Sequence, residues 1–138
     1  MVISIYTDGG ARGNPGIAGY GFVLKNDTGD ILYQGKKFLG VKTNNEAEYL
    51  GLIAALAYLT DHLSAYSPAS LNIFSDSELL INQLRGRYKV KAPNLKPLFA
   101  AASDLIRHLS LPVSYRSIPR SQNCLADSLA NQAMDSRL

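Results

Sequence analysis

The chain has 138 residues, of which 46% are hydrophobic, with one cysteine and a formal net charge of +3 at pH 7. This composition excludes an intrinsically disordered chain, and the single cysteine excludes an internal disulfide. The longest apolar stretch, residues 50–59, is too short to cross a bilayer. We therefore expect one globular domain over residues 1–138, monomeric, cytoplasmic, without a secretory leader or a membrane partner.

The first third of the chain predicts three strands. Residues 2–7 are mostly β-branched or aromatic and alternate between two faces, and residues 18–25 and 31–39 are predicted as the second and third strands. Residues 9–16 are rich in glycine and predict the first turn, while residues 26–29 (Asn-Asp-Thr-Gly) predict a hairpin turn. These strands are expected to form an antiparallel meander.

The rest of the chain alternates between helix and strand signals. A helix is predicted from a cap at Thr43 or Asn44 to about His62, with Glu46 placing acid in its first turn. The later predicted elements are a strand at 71–75, helices at 77–84 and 94–109, a strand at 113–118 and a helix at 121–136. This order predicts an α/β fold: a five-stranded mixed sheet, three antiparallel strands followed by β-α units, flanked by helices. Ligands in such folds bind where strands lead into helices along one edge.

Four acidic residues lie near these predicted junctions. Asp8 ends the first strand, Asp76 ends the fourth, Glu48 lies early in the long helix, and Asp127 lies in the last helix. Each alone is typical of a turn former, a helix cap or a partner of the helix dipole. Together they supply the oxygen ligands that Mg²⁺ prefers, and phosphodiester cleavage by two metal ions needs several carboxylates at one point. Without cations, such a cluster would be destabilised by mutual repulsion.

Helical periodicity favours Glu48 over Glu46 as the acid of the long helix. Glu48 lies one turn before Leu52, on the side of a leucine stripe that continues at residues 56, 59 and 63. The opposite side of this helix is apolar too, so periodicity alone leaves both acids open.

Four segments resemble the motifs of ribonuclease HI. Residues 6–10 and 13–16 (Tyr-Thr-Asp-Gly-Gly and Gly-Asn-Pro-Gly) resemble the opening motif, and residues 43–48 resemble the helix start T-N-N-x-x-E. Residues 75–77 (Ser-Asp-Ser) resemble the S/T-D-S junction, and residues 119–127 contain the final N-x-x-x-D. The resemblance spans nearly the whole chain and implies an RNase H-like fold. It implies endonucleolytic hydrolysis of the RNA strand of RNA–DNA hybrids, leaving 5′-phosphate and 3′-hydroxyl ends.

The resemblance also implies a role for each acid. Two Mg²⁺ ions, which Mn²⁺ can replace, would be bound with the substrate. Asp8 would bridge both ions, Asp127 would complete the site that activates water, and Glu48 and Asp76 would hold the second ion. The T-N-N-x-x-E spacing selects Glu48 rather than Glu46.

The hybrid contacts implied by the resemblance involve the glycine-rich segment and the helix start. The 2′-hydroxyl distinguishes RNA from DNA, and asparagine can both donate to it and accept from it. Thr43 would contact a phosphate of the DNA strand, whereas helix capping is the competing explanation for Asn44 and Asn45. The implied substrate-binding residues are Gly9, Gly10, Asn14, Thr43, Asn44, Asn45 and Arg120.

Three departures from the family pattern affect these expectations. The loop before the last helix lacks the histidine of many relatives, and Arg120 is the expected substitute as a phosphate contact, since a guanidinium cannot act as a base. Glu78 stands where several relatives have a minor-groove glutamine. The tryptophan- and lysine-rich handle of many relatives is absent. A possible phosphate-binding strip replaces it, formed by Arg85, Arg87, Lys89 and Lys91.

Two alternatives compete with a hybrid-specific ribonuclease. One is a catalytically weak or inactive nucleic-acid-binding module of the same fold, which would typically have lost at least one of the four acids. The other is a different nuclease of this fold, such as a resolvase or a 3′-exonuclease. The segment Thr43-Asn44-Asn45 and the glycine-rich segment favour the hybrid-specific branch.

Overall fold

The computed structural model describes residues 1–137 and contains a five-stranded mixed sheet in the order β3-β2-β1-β4-β5. β1 is antiparallel to β2, β2 is antiparallel to β3, and β1, β4 and β5 run parallel to one another. The strands are β1 (Val2–Arg12), β2 (Gly16–Lys25), β3 (Ile31–Lys42), β4 (Ser70–Ser75) and β5 (Val113–Ser117). This sheet confirms the predicted fold class.

Five α-helices and one 3₁₀ turn connect and cover the strands. The helices are α1 (Asn44–Asp61), α2 (Leu63–Tyr66), α3 (Glu78–Leu84), α4 (Lys96–Leu109) and α5 (Cys124–Ser136), and the 3₁₀ turn is Arg120–Gln122. The short helix α2 was not predicted. Among residues 1–137, no helix is long and apolar enough to cross a membrane.

The sheet is covered by α1 and α5, which pack against it where glycine exposes the strand backbone. A Cβ on Gly9 would lie 2.6 Å from the backbone nitrogen of Glu48 in α1. A Cβ on Gly21 would lie 2.5 Å from the carbonyl oxygen of Ala126 in α5. Because Gly9 pairs with Tyr20 and side chains alternate along a strand, α1 and α5 lie on opposite faces. Both helices therefore approach the centre of the sheet more closely than larger residues would allow.

A capping box fixes the start of α1. The Thr43 hydroxyl accepts the N–H of Glu46 at 3.1 Å, and the Glu46 carboxylate accepts the N–H of Thr43 at 2.9 Å. That backbone hydrogen bond lowers the pKa of Glu46. Thr43 is thus the cap, and the capping explanation for Asn44 and Asn45 is wrong.

The predicted turn at residues 9–16 is also wrong over its first half. β1 continues through Gly9 and Gly10 to Arg12, paired residue by residue with β2. These glycines permit close helix packing rather than a reversal of the chain, so Asp8 lies inside the strand and not at its end. The last helix begins at Cys124, three residues later than predicted, because a 3₁₀ turn precedes it. The predicted helix at 94–109 begins at Lys96.

Candidate active site

Three carboxylates converge at the centre of the sheet. Carboxylate oxygens of Asp8, Glu48 and Asp76 all lie within 4.8 Å of one another. Two of them meet because β1 and β4 are parallel neighbours in which Thr7 pairs with Ser75, so that Asp8 and Asp76 follow on adjacent strands. The third comes from the second turn of α1, which packs directly over Gly9.

The fourth acid, Asp127, is positioned by an anchor at the start of α5. The buried Asn123 side chain donates from Nδ2 to the carbonyl oxygen of Thr7 at 3.0 Å, and the Asp127 N–H donates to the Asn123 carbonyl at 3.1 Å. The Asp127 side chain lines the same cleft as the other three acids. It also lies close enough to Asp8 to raise the pKa of Asp8.

Glu48 is held in place from two sides. The backbone N–H of Gly9 donates to its Oε1, and the buried Ser75 hydroxyl donates to its Oε2 at 3.4 Å. Only 6% of Glu48 is exposed. Glu46 is meanwhile engaged in the capping box, so the structure brings Glu48, and not Glu46, to the other acids.

The buried acids repel one another unless a cation is present. Burial and, after it, the charge of Asp76 together raise the pKa of Asp8 to about 8. Burial also raises the pKa of Glu48 well above its usual range, with the charges of Asp8 and Asp76 adding to the effect. Carboxylates this close cannot all ionise in the absence of a counter-charge. An oxygen-only donor set of this kind fits a hard divalent cation.

A cleft of about 490 Å³ opens over the four acids. Gly9, Gly10, Asn44 and Asn45 line it, and so does Arg120. The Arg120 Nε donates to Asp76 Oδ2 at 3.3 Å while most of its guanidinium stays exposed. The cleft thus combines a compact acidic centre with a permanently charged cation at its rim.

Two other predicted substrate contacts lie outside the cleft lining. The Asn14 Oδ1 accepts the N–H of Asn44 at 3.0 Å, and the Asn44 Oδ1 accepts the N–H of Ala11 at 2.7 Å. These hydrogen bonds join the β1–β2 hairpin to the start of α1. Asn14 and the capping residue Thr43 therefore support the position of the cleft-lining Asn44 and Asn45.

The predicted phosphate-binding strip is only partly assembled. Arg87 and Lys89 line a second groove, of about 540 Å³, together with Tyr88 and Lys96. Lys91 is not part of that lining, and Arg85 donates to the carbonyl oxygen of Tyr115 in β5.

Sequence reasoning missed three polar residues of the cleft. Arg12, Ser77 and Asn131 line it with the four acids. The sequence predicts a turn at Arg12, and a turn gave no reason to expect this residue beside the cleft. The spacing of Asp127 and Asn131 was an available signal, since residues four apart lie on the same helix face.

Comparisons with known proteins agree with this geometry. A family model described as "Reverse transcriptase-like" matches residues 6–133. The crystal structure of LC11-RNase H1 in complex with an RNA/DNA hybrid is 41% identical, with a TM-score of 0.93 over 98% of both chains. The chain belongs to the ribonuclease H family.

Two curated members of the ribonuclease H family are longer than this chain. Ribonuclease HI of Halobacterium salinarum is 37% identical over 96% of this chain and 64% of its own length. A bifunctional protein of Mycobacterium tuberculosis is 42% identical over 98% of this chain and 36% of its own length. The chain thus spans about a third of one of these ribonuclease H relatives and nearly two thirds of the other.

Proposed function

We propose that this ribonuclease H hydrolyses the RNA strand of RNA–DNA hybrids as a metal-dependent endonuclease, leaving 5′-phosphate and 3′-hydroxyl ends. The observation that carries the proposal is the convergence of Asp8, Glu48 and Asp76 within 4.8 Å, with Asp127 in the same cleft. The support from relatives is that LC11-RNase H1, 41% identical, was crystallised with such a hybrid.

The four acids would hold divalent cations, and Mg²⁺ is the ion we propose, with Mn²⁺ as a substitute. The buried oxygens of Asp8 and Glu48 fit such ions, because a divalent charge would relieve the repulsion that raises their pKa values. Two bound ions would supply a hydroxide at neutral pH and stabilise the leaving oxygen.

The protein's own residues would position the hybrid and leave the attack to water. Asn44 and Asn45 line the cleft beside the glycines of β1, where asparagine can exchange hydrogen bonds with a 2′-hydroxyl. The exposed guanidinium of Arg120 would contact a phosphate and cannot remove a proton. Cys124 is no candidate nucleophile, because its sulfur contacts the Ser121 carbonyl and not the acids.

The experiment that tests the proposal is cleavage of a hybrid labelled on either strand. The native chain should cut only the RNA strand, with Mg²⁺ or Mn²⁺ and not with a chelator, and Asp8→Asn should abolish cutting. Asp104→Asn is the matched control, since Asp104 is an exposed partner of Arg107. If the folded native chain cuts no hybrid with either metal, the proposal fails.

A substrate panel and an analysis of product ends test the finer points. Duplex DNA should not be cut, which separates this enzyme from a resolvase or an exonuclease, and duplex RNA shows whether cutting requires a DNA strand. Ligation to the 5′ ends and polymerase extension from the 3′ ends should succeed without prior enzymatic treatment. A single catalytic domain, a monomeric state, a cytoplasmic location and a phosphate-binding strip at Arg85, Arg87, Lys89 and Lys91 stay predictions.

A further inference from the structure

We propose that Arg12 is a second phosphate-binding residue, which positions the hybrid on the Asp127 side of the cleft. This inference rests on the proposed function. Arg12 lies at the end of β1, four residues beyond Asp8, which is about 13 Å along an extended strand. Its side chain lines the cleft that holds the four acids, and it is about half exposed.

The guanidinium of Arg12 is held by two residues of α5. It forms an ion pair with Asp135 at 2.7 Å and donates to the Asn131 Oδ1 at 3.3 Å. Asn131 in turn donates from Nδ2 to the carbonyl oxygen of Asp127 at 3.0 Å. Asp127, Asn131 and Asp135 recur every four residues and so lie on one face of α5. The guanidinium is thereby fixed relative to a catalytic acid.

These contacts leave donors of Arg12 free for a ligand. A guanidinium has five N–H donors in a rigid planar fork, and Arg12 contacts both Asp135 and Asn131 through the same terminal nitrogen, Nη2. The N–H groups of Nε and Nη1 take part in neither contact, and Arg12 lines the cleft. A phosphate oxygen is the ligand that matches this fork when a polyanion lies across the acids.

The two arginines of the cleft lie on different sides of the acidic centre. Arg120 contacts Asp76, which follows β4, whereas Arg12 is tied through Asn131 to Asp127. Four acids in one cleft repel a nucleic acid backbone, and a cation on each side would offset this repulsion at the phosphates flanking the scissile one. We therefore assign Arg12 to an RNA-strand phosphate one to a few nucleotides from the cleavage point.

Binding of a short hybrid, measured by fluorescence anisotropy over a range of salt concentrations, tests this assignment. All variants carry Asp8→Asn to prevent cleavage. Arg12→Ala should weaken binding about threefold to tenfold and make the plot of log Kd against log salt less steep by about one. Arg12→Lys should keep the slope. Arg107→Ala is the matched control, since Arg107 pairs only locally with Asp104, and it should change neither quantity.

Asp135→Asn separates phosphate binding from a structural anchor. If Arg12 only fixes the hairpin to α5, loss of the ion pair should weaken binding as much as Arg12→Ala does. If Arg12 binds phosphate, Asp135→Asn keeps the guanidinium and should preserve the full salt slope. Thermal unfolding of each variant confirms that the proteins compared are folded.

Neutral phosphate analogues locate the contact. A methylphosphonate is placed at each RNA phosphate in turn. At one position it should weaken binding by the protein that retains Arg12 and should have no further effect on binding by Arg12→Ala. An unchanged salt slope in Arg12→Ala, or additive effects at every phosphate, would overturn the assignment. When the native protein cuts the hybrid, either of these results refutes only the role of Arg12, whereas absence of cutting by the native chain refutes the proposed function.

Discussion

Replacement of Asp8 by asparagine should stabilise the metal-free protein at alkaline pH while it abolishes cleavage. Burial, together with the charge of Asp76, raises the pKa of Asp8 from 3.8 to about 8. At a pH between these two pKa values, the Asp8 carboxyl of the folded protein retains a proton that the unfolded chain has released. Stability is therefore lost as the pH rises from about 4 to about 8. Asparagine has the same shape and no charge, so it removes this contribution.

The size of the effect follows from the same pKa values. A rise in the pKa of Asp8 from 3.8 to about 8 corresponds to at most about 6 kcal/mol in the free energy of unfolding, at roughly 1.4 kcal/mol for each pKa unit. Water entering the cleft and side-chain movement reduce this figure, because the acids line an open surface. We expect Asp8→Asn to raise the free energy of unfolding by about 1–3 kcal/mol near pH 8 and by much less near pH 5.

Urea unfolding with a chelator at about pH 5 and about pH 8 is the appropriate assay. The native chain should be less stable at the higher pH, and added Mg²⁺ should restore most of the loss. Asp104→Asn, an exposed substitution of the same kind, should follow the native chain at both pH values. The reasoning is refuted if the metal-free native chain is equally stable at both, or if Asp8→Asn shows the same pH dependence as the native chain.

Three further substitutions test the packing that supports the site. Gly9→Ala places a Cβ 2.6 Å from a backbone nitrogen of α1, so urea unfolding should show a loss of about 1–3 kcal/mol and cleavage should fall. Gly10→Ala, whose Cβ would find its nearest neighbour at 3.9 Å, should leave the free energy of unfolding nearly unchanged; equal losses of stability in the two variants would contradict this account. Tyr49→Phe removes the buried 2.5 Å hydrogen bond to Gln83 and should cost about 1–3 kcal/mol in thermal or urea unfolding, whereas an unchanged midpoint would mean that Gln83 finds another partner. Thr43→Ala removes the capping box and should lower the free energy of unfolding by about 1 kcal/mol, whereas Thr43→Ser should keep most of that stability.

The fold was predictable because its signals are local. Alternating residues indicated the first and last strands, a short apolar run indicated β4, and the motif Thr43 to Glu48 indicated the start of the long helix. What the pattern could not predict was where β1 ends, because glycine is typical of turns and also of positions where a helix packs against a strand. Only the position of α1 over Gly9 distinguishes the two cases.

The acids of the site were predictable as a set, whereas their supporting contacts were not. Asp8 lies in β1 and Asp76 directly follows the parallel strand β4 beside it, and the order of elements already placed both acids along one edge of the sheet. Arg12 and Asn131 are 119 positions apart in sequence, and their hydrogen bond depends on how α5 crosses the hairpin. Arg85 shows the converse: it belongs to a basic run in sequence, but its guanidinium contacts the backbone of β5.

The four acids come from four separate places in the fold: β1, α1, the residue that follows β4, and α5. Both strands and both covering helices must therefore be in place before the cleft is complete. If α5 separated from the sheet, the three other carboxylates would stay in place, but the cleft would lose both Asp127 and the Asn123 anchor that joins α5 to β1. The completeness of the acidic site therefore depends on the packing of one helix, and local unfolding of α5 would dismantle the site without disturbing the rest of the sheet.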